Sequence, residues 1–253
     1  MTDHDSATGV TLPSGREYLL LPGFDGTGRL FAPLLSCLAS RNDVCVAQYP
    51  PELASLAELA AAAQASVRNW PATVVLCESM GGLAAIELCR RMESAPAALV
   101  FCAAFARAPQ APLLRAALLL PDPLLRWAAA NPVGIRFASV GADADVALLG
   151  QVREVSSHLS AATLRSRLRL IATTDLRDRL ATLRAPALYL QARSDRLVPR
   201  AASDEFCERV ANIRRVVIAG PHLLLQAAPR ACLHAIVTFL RDVSARAEST
   251  KAR

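Results

Sequence analysis

A serine at the junction of a strand and a helix is the first residue whose setting indicates chemistry. Residues 77–82 (CESMGG) follow an apolar run and precede an amphipathic stretch, so Ser79 is predicted to lie on a sharp strand-to-helix turn. The usual form of this turn is G-x-S-x-G. Gly81 keeps the second glycine, and Cys77, which is also small, stands at the first. The pattern predicts that Ser79 is a nucleophile, and a helix N-cap serine is the alternative interpretation.

A serine nucleophile needs a base that removes its proton and an acid that orients the base. Asp195 follows the apolar run 187–190, and His222 follows the run 216–218, so both lie in loops after strands. The other three histidines stand in the N-terminal tail, before the expected acid, and inside a helical stretch: His4, His158 and His234. We therefore predict that Asp195 and His222 complete a catalytic triad. Asp195 considered alone could equally be a turn or N-cap aspartate.

A glycine-rich loop follows the first apolar run, at residues 21–28 (LPGFDGTG). Acyl transfer at a serine needs two backbone N–H groups that stabilise the developing oxyanion. We predict that Phe24 in this loop and Met80, directly after the serine, supply them and also contact the substrate. A dinucleotide-binding loop is rejected, because the glycines have the order G-x-x-G-x-G and no acidic residue ends the next strand.

The elements that must position these residues alternate along the chain. Six apolar runs have the length of buried strands, at residues 18–21, 44–47, 73–77, 98–102, 187–190 and 216–218. Helical patterns, for instance at residues 53–67 and 82–92, fall between most of them. Such alternation predicts an α/β fold with a mostly parallel central sheet flanked by helices. The carboxyl ends of its strands form the edge where ligands bind.

One long stretch interrupts this alternation. Residues 104–183 contain helical segments with repeated prolines and no convincing strand. We predict that they form a helical cap, inserted into a core made of residues 1–103 and 184–253. A separate second domain is the alternative.

The cap carries an apolar series and an arginine series. The apolar side chains suit an acyl chain, with Trp127 as a substrate contact, although packing of the cap onto the sheet explains them equally: Leu113, Leu114, Ala117, Leu118, Leu124, Leu125 and Trp127. Arg165, Arg167 and Arg169 are predicted to dock the acidic surface or the phosphate of an acyl carrier protein. A solvated basic face is the alternative for these arginines.

Composition excludes several classes of protein. The chain has 253 residues, of which 53% are hydrophobic, enough for a large core without metal or disulfides. The net charge of +6 favours anionic partners, but no lysine-rich arm or zinc-finger spacing indicates nucleic-acid binding. Seven cysteines without a C-x-x-C pair indicate free thiols in a reducing compartment. Because the N-terminus is polar and charges interrupt the apolar stretches, we predict a cytoplasmic protein without a membrane span.

Four motifs together resemble the α/β-hydrolase superfamily: residues 21–28, 77–82, 195–200 (DRLVPR) and 220–222 (GPH). Within it they are similar to small carboxylesterases of the pimeloyl-ACP methyl ester esterase type, although Pro22 and Cys77 replace a common histidine and glycine. The resemblance implies a serine carboxylesterase that cleaves a short- or medium-chain acyl ester, free or carrier-linked, in biotin biosynthesis. The proposed chemistry needs no metal or organic cofactor. A thioesterase or acyltransferase with the same triad, or a non-catalytic binding protein on this scaffold, are the alternatives.

Overall fold

Six parallel strands form the central sheet of the computed structural model, which describes residues 9–53, 55–141 and 145–251. The strands are β1 (Glu17–Leu21), β2 (Val44–Val46), β3 (Thr73–Glu78), β4 (Ala98–Cys102), β5 (Ala187–Ala192) and β6 (Ile213–Ile218). Their order across the sheet is β2-β1-β3-β4-β5-β6, and each neighbouring pair is parallel. All strands therefore end at the same edge, and the predicted fold class is confirmed.

Helices surround this sheet. In chain order they are α1 (Ala32–Ser36), α2 (Leu56–Gln64), α3 (Gly81–Arg91), α4 (Ala111–Leu119), α5 (Asp122–Ala130), α6 (Pro132–Ile135), α7 (Val146–Ser157), α8 (Ala161–Thr173), α9 (Arg177–Leu180), α10 (Arg200–Arg209), α11 (Leu224–Ala227) and α12 (Pro229–Lys251). Short 3-10 turns occur at Arg29–Phe31 and Trp70–Ala72, and a π-helical turn at Arg136–Val140. No helix in the described ranges is both long and apolar enough to traverse a bilayer.

The inner strands are apolar on both faces because each face is covered by helices. Along β1, Leu19 and Leu21 pack into one hydrophobic core, whereas Tyr18 and Leu20 pack into a second core on the opposite face. This alternation is the period of two that a strand imposes on its side chains. Both cores are extensive, so the sheet is a rigid base for the loops at its carboxyl edge.

The edge strand β6 is longer than the sequence predicted. It begins at Ile213 and includes Arg214 and Arg215, whereas the prediction started at residue 216. Most residues of β6 are half-buried or exposed, so their side chains can reach solvent and charged partners. Arg214 Nη1 lies 3.1 Å from Asp242 Oδ2 on α12. Because charged residues interrupt the apolar run, a prediction based on apolar runs misses the first half of this strand.

The insertion between β4 and β5 consists of α4–α9 and their connections. Outside residues 142–144, which the structure does not describe, residues 104–183 contain no strand beyond a single isolated bridge between Arg107 and Asp175. The assignment of this segment as a cap domain with these limits stays a prediction.

Candidate active site

Ser79 occupies the turn between β3 and α3 in a strained backbone conformation. Its φ angle is 52°, a region that residues with a Cβ rarely adopt. The Ser79 N–H donates to the carbonyl oxygen of Cys102 at 3.0 Å, and the Ser79 carbonyl accepts from the N–H of Gly82 at 2.9 Å. These two bonds hold the turn on both sides, so the strain is compensated by the sheet and by the helix.

The small residues around Ser79 are explained by close contacts. A Cβ on Gly81 would lie 2.5 Å from the carbonyl oxygen of Leu21, so this position cannot carry a side chain without movement of the backbone. Cys77 stands where the usual motif has its first glycine, and its Sγ fits in the core 3.4 Å from the carbonyl oxygen of Val100. Burial raises the pKa of the Cys77 thiol well above its ordinary value, so it stays protonated beside the serine.

A hydrogen-bonded chain connects Asp195 to Ser79 through His222. His222 Nδ1 lies 2.8 Å from Asp195 Oδ2, and His222 Nε2 lies 3.1 Å from Ser79 Oγ. Ionised carboxylate oxygens only accept hydrogen bonds, so the proton of a neutral His222 belongs on Nδ1 and the lone pair of Nε2 faces the serine. This is the arrangement in which an imidazole can remove the hydroxyl proton.

The loops that carry Asp195 and His222 are tied to each other. The second carboxylate oxygen of Asp195, Oδ1, accepts the N–H groups of Leu197 at 2.9 Å and Val198 at 2.8 Å. The N–H of Ser194 donates to the carbonyl oxygen of Gly220 at 3.0 Å. Three donors therefore fix the carboxylate, namely the N–H groups of Leu197 and Val198 and the Nδ1 of His222, and the His222 side chain is buried beside it.

The glycine-rich loop forms a tight turn next to the serine. The N–H of Gly26 donates to the carbonyl oxygen of Gly23 at 3.2 Å, which places Phe24 and Asp25 at the two central positions. Asp25 Oδ2 accepts from the N–H of Thr27 at 2.9 Å. A Cβ on Gly23 would lie 3.4 Å from Ser79 Cβ, so the loop passes directly beside the nucleophile.

Two backbone N–H groups near Ser79 are free to bind an oxyanion. Among the described residues, neither the N–H of Phe24 nor that of Met80 has a hydrogen-bond acceptor. Met80 is the N-cap residue of α3, where the helix leaves its first N–H groups unpaired and its dipole favours negative charge. The sequence predicted these two N–H groups as the oxyanion donors, and that role stays a prediction.

An apolar cavity of about 290 Å³ opens onto Ser79 and His222. Phe24 of the glycine-rich loop and Phe105, Leu114, Leu164 and Ile171 of the segment between β4 and β5 contribute to its wall. Its lining is mostly aliphatic, with few polar groups apart from those at the serine. Such a cavity suits the apolar part of a small substrate.

The structure does not bring the side chains of Trp127 and Met80 to this cavity. Trp127 is 62% exposed and lies outside the cavity wall. Leu125, two residues earlier on α5, is buried, and positions two apart lie on opposite sides of a helix. The Met80 side chain is fully buried in the core, so only its backbone can face a substrate. Phe24 lines the cavity, and its contact with a substrate stays a prediction.

The three arginines of α8 do not form the exposed surface that the sequence predicted. Arg167 is only 2% exposed and donates to main-chain carbonyl groups of the glycine-rich loop. Arg165 is largely covered and bonds Asp122 Oδ1 at 2.8 Å and the carbonyl oxygen of Leu118 at 2.8 Å. Of the three, Arg169 alone is exposed. The prediction that all three arginines dock a carrier protein is therefore corrected, because Arg165 and Arg167 make internal hydrogen bonds.

Glu78 is a buried carboxyl beside the nucleophile that sequence reasoning missed. Its Oε2 accepts a hydrogen bond from Gln226 Nε2 at 3.0 Å, while Oε1 has no partner within the described part of the chain. Burial raises the pKa of Glu78 to about 7, against the lowering effects of the Gln226 bond and of His222. The signal that could have found it is a glutamate that directly follows the apolar residues 74–77 of β3.

Metal ligands are not clustered in the regions that the structure describes, since no three His, Cys, Asp or Glu side chains there could hold an ion together. All seven cysteines are free thiols.

Burial raises the pKa of the Cys102 thiol, which lies on β4 next to the site, well above its ordinary value, so this thiol stays protonated.

A parallel sheet with a strained serine after β3, and an aspartate and a histidine in the loops after β5 and β6, defines the α/β-hydrolase fold. The family model described as serine aminopeptidase, S33, matches residues 48–240, which is more than half of the chain. The chain belongs to this family of hydrolases. No curated protein sequence matches it.

Solved structures share this fold at low sequence identity. An enol-lactonase from Burkholderia xenovorans LB400 has a TM-score of 0.77 and 19% identity, with 90% of this chain and 92% of that chain covered. An esterase from Exiguobacterium antarcticum has a TM-score of 0.76 and 17% identity, with 91% and 93% covered. A bromoperoxidase from Bacillus anthracis has a TM-score of 0.74 and 14% identity, with 91% and 93% covered.

Proposed function

We propose that this protein is a serine carboxylesterase that hydrolyses a small ester with an apolar, short- or medium-chain acyl group. The observation that carries the proposal is the chain of hydrogen bonds from Asp195 through His222 to Ser79 at one end of an apolar cavity. Each of the three side chains is covered by protein, so the bonds act in a medium of low dielectric, where they are stronger than in water.

The mechanism has two half-reactions. His222 Nε2 takes the hydroxyl proton as Ser79 Oγ attacks the ester carbonyl, and Asp195 stabilises the imidazolium that results. The tetrahedral intermediate collapses when His222 returns the proton to the leaving alkoxide, which departs as the alcohol and leaves an acyl group on Ser79. Water, deprotonated by His222, then attacks the acyl-enzyme, and the second tetrahedral intermediate collapses as His222 returns the proton to Ser79 Oγ, which releases the carboxylic acid and restores the serine.

The N–H groups of Phe24 and Met80 are proposed to bind the oxyanion of both tetrahedral intermediates. Their freedom from other acceptors supports this role, because donors that are already in place need no reorganisation when the charge develops. Loss of one such donor typically lowers kcat by about a hundredfold to a thousandfold.

We propose further that residues 104–183 act as a cap over a core formed by residues 1–103 and 184–253. The cavity wall supports this division, because the insertion contributes Leu114 from α4 and Leu164 from α8 opposite the loops of the core. The cap then determines the length and shape of the acyl group, while the core supplies the chemistry.

The family description raises peptide hydrolysis as a second candidate, which needs a carboxylate to bind the substrate amine. Two acidic residues line the cavity, Asp25 and Glu78. Asp25 is bonded to Thr27, and Glu78 is bonded to Gln226 with a pKa raised by burial to about 7. The apolar lining favours the ester over the peptide.

The sequence resemblance implies a narrower substrate, a carrier-linked methyl ester. The predicted arginine surface no longer supports this substrate. Arg165 and Arg167 make internal hydrogen bonds, which leaves Arg169 alone exposed among the three arginines proposed for docking. The proposal therefore rests on the acyl group and does not specify the carrier. The free cysteines support a reducing compartment, and we propose the cytoplasm.

A series of p-nitrophenyl esters from acetate to octanoate tests the proposal, together with an amino-acid p-nitroanilide. We expect ester hydrolysis by the wild-type protein and a loss on the order of a thousandfold in Ser79→Ala and His222→Ala. Ser203→Ala removes another buried serine and His234→Ala an exposed histidine of α12, and both controls are expected to keep activity. Faster cleavage of the anilide than of every ester would favour the peptidase.

A further inference from the structure

Arg167 links α8 of the insertion to the loop that carries Phe24. Its Nη1 donates to the carbonyl oxygens of Phe24 at 2.6 Å and Asp25 at 2.5 Å, and its Nη2 donates to that of Pro50 at 3.2 Å. The side chain is 2% exposed and is among the largest fully buried side chains of the protein. A guanidinium therefore lies in the interior and is aimed at the main chain of the glycine-rich loop.

This arrangement is costly as a purely structural contact. A charged group removed from water loses its hydration, which destabilises the folded state unless its partners compensate for it. All three hydrogen bonds of Arg167 end on neutral carbonyl groups, and its Nε has no partner among the described residues. An apolar side chain would attach α8 to the core at lower cost. What the guanidinium adds is a set of directed donors.

The two carbonyl groups that Arg167 binds belong to the central residues of the Gly23–Gly26 turn. The N–H of Phe24 belongs to the preceding Gly23–Phe24 peptide group, whose carbonyl oxygen accepts from the N–H of Gly26 at 3.2 Å, so the conformation of the whole turn determines where this N–H points. The bonds to Nη1 fix the carbonyl oxygens of the two central residues, and the N–H of Phe24 has no acceptor among the described residues. Gly26 completes the fit, because a Cβ there would lie 2.7 Å from Arg167 Nη2.

We propose that Arg167 is a positioning residue, which holds the Phe24–Asp25 turn in the conformation that the oxyanion hole requires. This inference rests on the proposed esterase mechanism. It makes the insertion part of the catalytic apparatus, because α8 then sets the geometry of a donor that acts only on the transition state. Displacement of α8 would misplace the N–H of Phe24 in the oxyanion hole while leaving the hydrogen bonds of Asp195, His222 and Ser79 intact.

Two substitutions of Arg167 and a matched control test this role. Arg167→Met keeps the length of the chain without its donors, and Arg167→Lys keeps the charge with a smaller set of donors. Arg169→Met changes an exposed arginine on the same helix two residues later. For each variant we would measure kcat and KM for p-nitrophenyl butyrate, and the affinity for butylboronic acid, which forms a tetrahedral adduct with a serine nucleophile.

We expect Arg167→Met to lower kcat by about tenfold to a hundredfold with KM within about twofold, because a misplaced donor weakens the transition state more than the bound substrate. Affinity for the boronic acid should fall by a similar factor. Arg167→Lys should recover part of both losses, and Arg169→Met should match the wild-type protein.

Circular dichroism and thermal unfolding identify the folded variants, and if Arg167→Met is unfolded the comparison of Arg167→Lys with Arg169→Met decides the question. The inference is overturned if a folded Arg167 variant matches Arg169→Met in kcat and boronic acid affinity, if KM alone changes, or if neither Arg167 variant folds. Absence of esterase activity in the wild-type protein is a different result, which would contradict the proposed function itself.

Discussion

Two residues beside the nucleophile show how local geometry sets the conditions for chemistry. Gly81 allows the start of α3 to pass within contact distance of the loop after β1, where any side chain would meet the carbonyl oxygens of Leu21 and Pro22. Glu78 places a carboxyl with a raised pKa directly under Ser79. Steric space limits what can stand at position 81, whereas burial sets the pKa at position 78. We therefore expect substitutions at the first position to change stability through packing and substitutions at the second to change its pH dependence.

Gly81→Ala is expected to reduce stability by about 1–3 kcal/mol, as overpacking of a filled site does, and to lower esterase activity. The reason is the 2.5 Å approach of a Cβ to the carbonyl oxygen of Leu21, which is main chain and cannot rotate away. Urea unfolding measures the change. Gly150→Ala in α7 is the control, because its Cβ meets nothing within 4 Å, and we expect a gain of about 0.5–1 kcal/mol there.

Glu78 is expected to make stability decrease as the pH rises. Its pKa is about 7 in the folded protein against an ordinary value of 4.5, so between these values the folded state holds a proton that the unfolded state has lost. The free energy of unfolding therefore falls across this interval, by up to about 3 kcal/mol, and levels off above pH 7. The charged and polar groups that face this carboxyl are His222, Asp25, Asp195 and Gln226.

Glu78→Gln provides the comparison, since an uncharged amide oxygen can still accept the bond from Gln226. Urea unfolding of both proteins from pH 5 to pH 8 should show a smaller decrease in the variant. Parallel pH profiles for the two proteins would contradict a buried carboxyl that titrates in this range.

At the scale of elements, rigid strands carry the reacting groups and helices of the insertion enclose them. Ser79, Asp195 and His222 follow β3, β5 and β6, whose parallel register brings the three strand ends to one edge. Helices α4 and α8 supply much of the cavity wall, and α8 also carries Arg167. We infer that substrate length is set by the helices, independently of the triad.

Leu114→Trp on α4 tests this division. Leu114 lines the cavity, so the larger ring should shorten the acyl chain that fits, and kcat/KM for the octanoate ester should fall by about tenfold or more relative to the acetate ester. Leu119→Trp lies on the same helix at a position that is 85% exposed, and it should leave the ratio unchanged. An equal effect of both substitutions on this ratio would show that the cavity does not determine which acyl chain is preferred.

For the whole molecule, the apolar periodicity of the sequence predicted the strands and the fold, and the positions of residues after strands predicted which of them lie close together. The inner strands, their parallel arrangement and the α/β-hydrolase fold are confirmed, because apolar runs separated by helical patterns have few other solutions. Ser79, Asp195 and His222 are close together in the structure, since each directly follows a strand and the strands share one edge. Their catalytic roles stay predictions.

The sequence failed where the outcome depends on which way a side chain points. Arg165, Arg167 and Arg169 look alike in the sequence, yet the rotation of α8 buries Arg167 against a loop that is 142 residues away along the chain. Trp127 is exposed because α5 turns Leu125 inward instead. Such orientations follow from tertiary packing, and no local pattern contains them.

The central claim, a serine nucleophile at residue 79, is tested most directly by mass spectrometry after reaction with an alkyl fluorophosphonate. We expect a single adduct on the peptide that contains Ser79, its absence in Ser79→Ala, and slow formation in His222→Ala, where the base is missing. An adduct on another residue, or ester hydrolysis by a protein that the reagent leaves unmodified, would show that Ser79 is not the nucleophile.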